Sequence, residues 1–244
     1  MILLGLDIGG SGIKGALVNS ETGELESERF RLPTPKHAKP QAMAEVVKEI
    51  VEHFDWKGPV GVGFPTIVKN GFCKSQSNLH GDWVNVNIEA FLKEVCGNDF
   101  KVVNDADAAG LAEMSFGAGK GKKGLILTIT LGTGIGSGVF HDGKLIPNFE
   151  LGHLRYKKNK PVEWYAADSV RKRKELTDKQ YAERLEYYLQ YVDRVCSPDL
   201  IIIGGGGSKL WDKLNGHIIV DVPVVVAESK NEAGIIGAAL ASMP

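Results

Sequence analysis

The chain has 244 residues, 43% apolar and 24% charged, with a net charge of −1. That length supplies a real core, in one large domain or two compact ones, and the even charge balance advertises no nucleic-acid or anionic-membrane partner. Cys73, Cys96 and Cys196 form no CxxC or CxH pattern, and the opening apolar run breaks at Asp7. No disulfide framework, cysteine zinc site or membrane anchor is therefore expected, which predicts a soluble, cytoplasmic protein.

Ile2–Leu6 reads as a buried strand that runs into Asp7-Ile8-Gly9-Gly10-Ser11-Gly12. A second strand-like run, Ile13–Val18, follows, and a turn over Glu21–Glu24 leads to a third predicted strand, Leu25–Leu32. After Pro40, apolar residues recur at spacings of three and four from Met43 to Phe54, which predicts an amphipathic helix. Val60–Phe64 and Lys101–Val103 read as strands and Ile88–Cys96 as a helix, with Asn104-Asp105 at the end of the last strand.

The second half repeats the opening. Leu125–Leu131 is a β-branched run interrupted by Gly132, Gly134, Gly136 and Gly138, and Val139-Phe140 resumes it. This strand, glycine loop and strand resembles residues 2–18 and suggests a diverged internal repeat. Residues 155–174 are rich in Lys and Arg. Thr177 with Gln180 fits a capping box ahead of a helix that Pro198 ends. Leu200–Ile203 and Val222–Ala227 are predicted strands, and Asn231–Ala241 a small-residue terminal helix.

Three glycine loops thus follow aliphatic strands: Gly9–Gly12, Gly132–Gly136 and Gly204–Gly207. Glycine lets backbone N–H groups close on an anion, and phosphate suits such a nest. Gly10–Gly15 also spells G-x-G-x-x-G, but a dinucleotide site needs a helix next and an acidic residue about 20 positions on. A strand-like run follows instead, and position 35 is Pro. Asp7 beside the first loop suits a Mg²⁺ ion and Lys14 a phosphate oxygen; an Asx turn and a solvated lysine are the plain alternatives. Asp105 can take a hydroxyl proton in phosphoryl transfer, or the Asn104-Asp105 pair can simply cap the next helix. Glu150 and His153 can bind sugar hydroxyls or form a structural pair.

Together these segments resemble the ROK family of sugar kinases and repressors, within the actin-like ATPase superfamily. Asp7–Lys14 is similar to its first phosphate loop and Gly132–Gly136 to its second. Asn104-Asp105 is similar to its catalytic dyad, Glu150–His153 to its sugar-binding E-x-G-H, and Gly204–Gly207 to its nucleotide-side loop. The family's cysteine cluster is missing, since residues 155–175 hold no Cys, so no zinc site is expected. The short form of the chain, with Pro147-Asn148 and Ser197–Leu200, looks like the polyphosphate glucokinase branch.

The resemblance implies an α/β, two-lobed actin-like ATPase (ribonuclease H-like) fold, each lobe a mixed five-stranded sheet with helices, around a cleft. The expected lobes are 1–107 and 108–230, with the terminal helix at about 231–244 packing back on the first. It implies a phosphoryl transfer from polyphosphate or ATP to the 6-hydroxyl of glucose, with Asp105 as base. Asn78, Asn104, Glu150, His153 and Glu163 would bind the sugar. Asp7, Gly9, Gly10, Ser11, Gly12, Lys14, Gly132, Thr133, Gly134, Gly205 and Gly206 would hold phosphates, with Mg²⁺ at Asp7. A homodimer is the family expectation. The basic segment 155–174 would steer a polyanion or form a solvated face. An ATP-only kinase for another hexose or N-acetylhexosamine, and a non-catalytic sugar sensor, are the competing readings.

Overall fold

The computed structural model describes residues 1–76, 79–229 and 232–243. The chain divides into two compact units, one formed by 1–112 with 232–244 and one by 113–231.

The first unit opens with the hairpin β1 (Ile2–Gly9) and β2 (Gly12–Asn19), followed by β3 (Phe30–Leu32). Helix α1 (Pro40–His53) starts on its proline, whose missing N–H costs nothing at that position. Then come β4 (Val60–Phe64), the small ribbon β5 (Val68–Lys69) and β6 (Phe72–Cys73), helix α2 (Ile88–Cys96), β7 (Phe100–Asn104) and α3 (Asp105–Phe116). The sheet order is β3-β2-β1-β4-β7, with the first three strands antiparallel and β1, β4 and β7 parallel. Leu4, Leu6, Ile8, Val60, Val62 and Phe64 fill the core against Met43, Val47 and Ile50 of α1.

The second unit repeats that plan. Its strands are β8 (Leu125–Leu131), β9 (Ile135–His141) and β10 (Lys144–Ile146), then the ribbon β11 (Arg155–Tyr156) and β12 (Lys160–Pro161). Helices α4 (Glu163–Ala166), α5 (Asp168–Arg173) and α6 (Asp178–Cys196) precede β13 (Leu200–Gly204), α7 (Trp211–Leu214) and β14 (Val224–Val226). The order β10-β9-β8-β13-β14 has the same sense pattern as the first sheet. Each sheet is therefore a three-strand meander extended by two parallel strands, the plan that the sequence repeat suggests. The terminal helix α8 (Ala233–Ala241) returns to the first unit and packs on β1 and β4.

Three expectations are corrected. The strand predicted over Leu25–Leu32 forms only at Phe30–Leu32. Earlier in that run the Ser27 Oγ takes the Leu17 N–H at 3.0 Å, so a side chain replaces the ladder acceptor. Gly136 and Gly138 do not interrupt the β8–β9 hairpin; they pair with Thr130 and Thr128, and only residues 132–134 lie outside the strands. The last strand is Val224–Val226, shorter than Val222–Ala227. Gly10–Gly15 runs into strand β2, not a helix, which removes the dinucleotide fingerprint. The capping box is present: the Thr177 hydroxyl accepts from Gln180 N and the Gln180 side chain accepts from Thr177 N.

Candidate active site

In the first unit the relevant residues gather where β1, β4 and β7 end. Ligands in open α/β sheets collect at such strand ends, because loops and helix N-termini converge there. Asp7 pairs in register with Lys14 on β2 and with Gly63 on β4. The Lys14 Nζ lies 3.1 Å from the Asp7 Oδ2. A Cβ on Gly234 would stand 3.1 Å from the Asp7 Cγ, so the first turn of α8 meets this carboxylate through a glycine. The positive end of a helix favours a carboxylate there.

Gly9 and Gly12 close the β1–β2 hairpin, with Gly10-Ser11 as its two-residue tip. Thr34 Oγ1 donates to the Gly9 carbonyl at 2.5 Å, and Arg31 Nη2 donates to the Ser11 carbonyl at 2.9 Å. Both loop carbonyls are thus tied down by side chains from the segment that starts at β3.

Asn104 and Asp105 divide the end of β7 between them. Asn104 is buried, and its Oδ1 accepts from Ala106 N at 2.9 Å and Asp107 N at 3.3 Å. Its Nδ2 donates to the Thr66 carbonyl at 3.2 Å. Asn104 is the helix cap. Asp105 is the first residue of α3 and is exposed. Its Cα lies 3.8 Å from where a Cβ on Gly63 would sit, so Asp7 and Asp105 flank Gly63. Asn78 lies outside the described residues.

In the second unit Glu163, His153 and Glu150 come together beside the Gly132–Gly134 loop. Glu163 Oε2 accepts from Ile135 N at 3.1 Å, and a Cβ on Gly134 would clash with that oxygen. The other oxygen, Oε1, is 3.5 Å from His153 Nε2. Burial pushes the Glu150 carboxyl above its usual range; His153 opposes this and Glu163 adds to it. The segment is strapped to β9 by Ser137, whose Oγ donates to the Phe149 carbonyl at 2.6 Å and accepts from Leu151 N at 2.9 Å. Gly152 lies so close to the Ile135 carbonyl that no Cβ fits. That approach is the physical reason for a glycine inside Glu-x-Gly-His.

The phosphate-loop candidates of this unit share one neighbourhood. Ser169, the second residue of α5, donates its N–H to the Gly132 carbonyl at 3.0 Å and its Oγ to the Thr133 carbonyl at 2.6 Å. Gly205, at φ 76°, and Gly207 press on Leu131, and Gly206 begins a short 3-10 turn. The basic segment is uneven. Arg171 and Lys172 both bind the buried Asp168 at 2.7 Å. Burial pushes that carboxyl up, but the two cations outweigh it and hold it below the usual range. Arg155, Lys157, Lys158, Lys160, Arg173 and Lys174 are exposed. Among the described residues no group of three His, Cys, Asp or Glu is placed to hold a metal.

A model of the ROK family matches residues 3–163. The chain belongs to the ROK family. It is 43% identical over 240 residues to a polyphosphate glucokinase of Mycobacterium tuberculosis (strain CDC 1551 / Oshkosh), covering 98% of this chain and 90% of that one. A crystal structure of an inorganic polyphosphate/ATP-glucomannokinase from Arthrobacter sp. strain KM matches with a TM-score of 0.91 and 45% identity. That match covers 98% of this chain and 97% of the other. A ROK hexokinase from Thermus thermophilus matches at 0.80 with 25% identity, covering 99% and 98%. The two mixed five-stranded sheets are those of the actin-like ATPase fold that ROK kinases share.

Two groups at this ROK chain's loops carry no mark in the motif. Arg31 sits beside the first loop because β3 is in register with β2, Lys14 opposite Arg31, a long-range pairing that a local pattern does not reveal. Ser169 reaches the second loop from a helix hidden inside the run of lysines and arginines. The only available signal was its Ala167-Asp168-Ser169 start, small and capping residues ahead of the charges.

Proposed function

We propose that this chain is a hexose kinase that moves a phosphoryl group from polyphosphate or ATP to the 6-hydroxyl of glucose. The kinship with polyphosphate glucokinases over nearly the whole chain supports the reaction. One observation carries the choice of base: Asp105 is exposed on the first residue of α3, where β7 ends, while Asn104 caps that helix.

In this reading the Asp105 carboxylate takes the proton from the sugar hydroxyl as its oxygen bonds to phosphorus. The phosphoanhydride bond breaks, and ADP or a shortened polyphosphate leaves with the bonding electrons. Glu150, His153 and Glu163 accept and donate hydrogen bonds at other hydroxyls of the sugar. Asn104 fixes the start of α3 through its Oδ1, and its Nδ2, which donates one N–H to the Thr66 carbonyl, has a second N–H for a sugar hydroxyl. The Gly9–Gly12 loop with Lys14 in the first unit, and the Gly132–Gly134 loop in the second, would supply donors to phosphate, and Gly205 and Gly206 would serve the nucleotide side. A Mg²⁺ ion needs one or two carboxylates plus phosphate oxygens and water, and Asp7 fits that need. The ion would offset donor phosphate charge, held by Asp7 directly or through water. A homodimer in the cytoplasm belongs to the same reading, by kinship.

A coupled assay of glucose, mannose and N-acetylglucosamine, each with ATP and with polyphosphate, tests the proposal; mannose is included because the Arthrobacter relative is called a glucomannokinase. Glucose phosphorylation with at least one donor is expected. Asp105→Ala should lower kcat by roughly 10²–10⁴ while circular dichroism and the thermal midpoint hold, as expected for loss of a general base. A folded Asp105→Ala variant with near-normal kcat removes the base assignment, and no turnover of any sugar by the intact protein removes the kinase reading.

A further inference from the structure

Asp7, Lys14 and Arg31 stand side by side on adjacent strands, because β1, β2 and β3 pair Asp7 with Lys14 and Lys14 with Arg31. Directly opposed residues of antiparallel strands share one face of the sheet. The row therefore reads carboxylate, ammonium, guanidinium. Asp7 is matched by Lys14 at 3.1 Å, so the surplus positive charge of the row belongs to Arg31. Among the described residues no carboxylate pairs with Arg31, whose side chain is exposed and lies over the hairpin.

The placement over the loop is close. A Cβ on Gly12 would fall 2.7 Å from the Arg31 Nε and 2.8 Å from Nη2, so the guanidinium lies directly over the Gly12 backbone. Nη2 donates to the Ser11 carbonyl, while Thr34 holds the Gly9 carbonyl from the other side. A carbonyl oxygen repels phosphate. Tying both down holds the hairpin tip in one conformation before the donor arrives. The guanidinium keeps further N–H groups for a second acceptor, in a planar fork that suits phosphate oxygens.

We propose that Arg31 is a donor-binding residue, whose guanidinium braces the first phosphate loop through Ser11 and contacts the phosphoanhydride chain of the donor. This rests on the kinase reading above. The ligand chemistry is a phosphoanhydride, which polyphosphate and ATP share. Contact with a bridging or distal phosphate serves either one.

The test is steady-state kinetics of Arg31→Ala and Arg31→Lys with glucose, ATP and polyphosphate varied in turn. Arg31→Ala should raise the donor KM by roughly ten- to a hundredfold, the scale of a lost charged hydrogen bond, and leave the glucose KM near wild type. Its donor KM should also depend less steeply on salt, because one phosphate contact fewer is screened. Arg31→Lys keeps the charge and loses the fork, so its donor KM should fall between the two. A rise with both donors assigns the shared phosphates; a rise with polyphosphate alone assigns distal phosphates that ATP lacks. A donor KM unchanged for both donors in Arg31→Ala, or a glucose KM that rises equally, overturns the assignment. An inactive wild type instead defeats the kinase reading itself, so the two failures are distinct.

Discussion

Burial holds the Glu150 carboxyl above the ordinary glutamate value of 4.5, and that sets two demands against each other. A sugar hydroxyl donates best to the ionised form, whereas the fold is happier with the neutral one. The stability associated with the protonated group is fully present below pH 4.5 and is lost as pH rises through its folded value. Glu150→Gln removes the titration. Its thermal midpoint should match wild type near pH 4 and exceed it increasingly toward pH 7, as followed by calorimetry over that range. Its glucose affinity should be lower at pH 7, where a carboxylate acceptor has gone. A midpoint difference that stays flat with pH would show that burial of Glu150 does not matter. Asp105 shows how far single residues were legible. In the sequence the base and cap readings of Asn104-Asp105 stood level; the structure divides the pair, with the cap on Asn104 and exposure on Asp105. The sequence contained no way to make that division, because it depends on which side chain turns back toward the helix amides.

At the scale of elements, signals that depend on near neighbours were readable and those that depend on pairing were not. The Thr177–Gln180 box is three residues long and was evident, as were β4, α2 and β8 from their apolar spacing. The strand over 25–32 is shorter than its pattern because a serine side chain can satisfy an amide as a ladder carbonyl does. Helix α4 is too short at four residues to show an apolar period, and in α5 charge dominates the residues. Glu113 of α3 is a further case. It is buried at 3% exposure, and its carboxylate accepts from Ala118 N, Glu228 N and Ser229 N at 3.1, 3.0 and 2.7 Å. Gly117 has no room for a Cβ beside it. One acidic side chain thus fastens the end of α3 to the segment after β14, near both points where the chain passes from one unit to the other. Glu113→Ala strands partly buried donors and should cost at least ~2 kcal/mol. Urea denaturation is the measurement, and Glu113→Gln, which keeps one acceptor, should lose less. Equal loss in both variants would show that the full carboxylate, not the bulk of the side chain or a single acceptor, is what matters at this position.

For the molecule as a whole, the repeat and the chain path pull in different directions. Each sheet contains a meander of three consecutive strands, which can form early and locally. Helix α3 follows the last strand of the first repeat and α8 that of the second, yet α8 belongs to the first unit. Its seat is made by absent side chains. A Cβ on Gly5 would run into the Ile235 carbonyl, and one on Gly61 into that of Ala238. Gly237 in turn lies against Ala108 of α3, with no space for a methyl. Ile235, Ile236, Ala238 and Ala239 are buried in that contact. The first unit therefore stays open along β1 and β4 until the last residues of the chain arrive, and it closes only after the whole second unit has been made. Deleting residues 232–244 should leave the second unit's core protected in hydrogen exchange while amides of β1 and β4 exchange rapidly and proteases cut within 1–112. The full-length chain should protect both sheets. A truncated chain whose two sheets remain equally protected would mean that β1, β4 and α1 hold a complete core without the helix, and that the three glycines serve close packing alone.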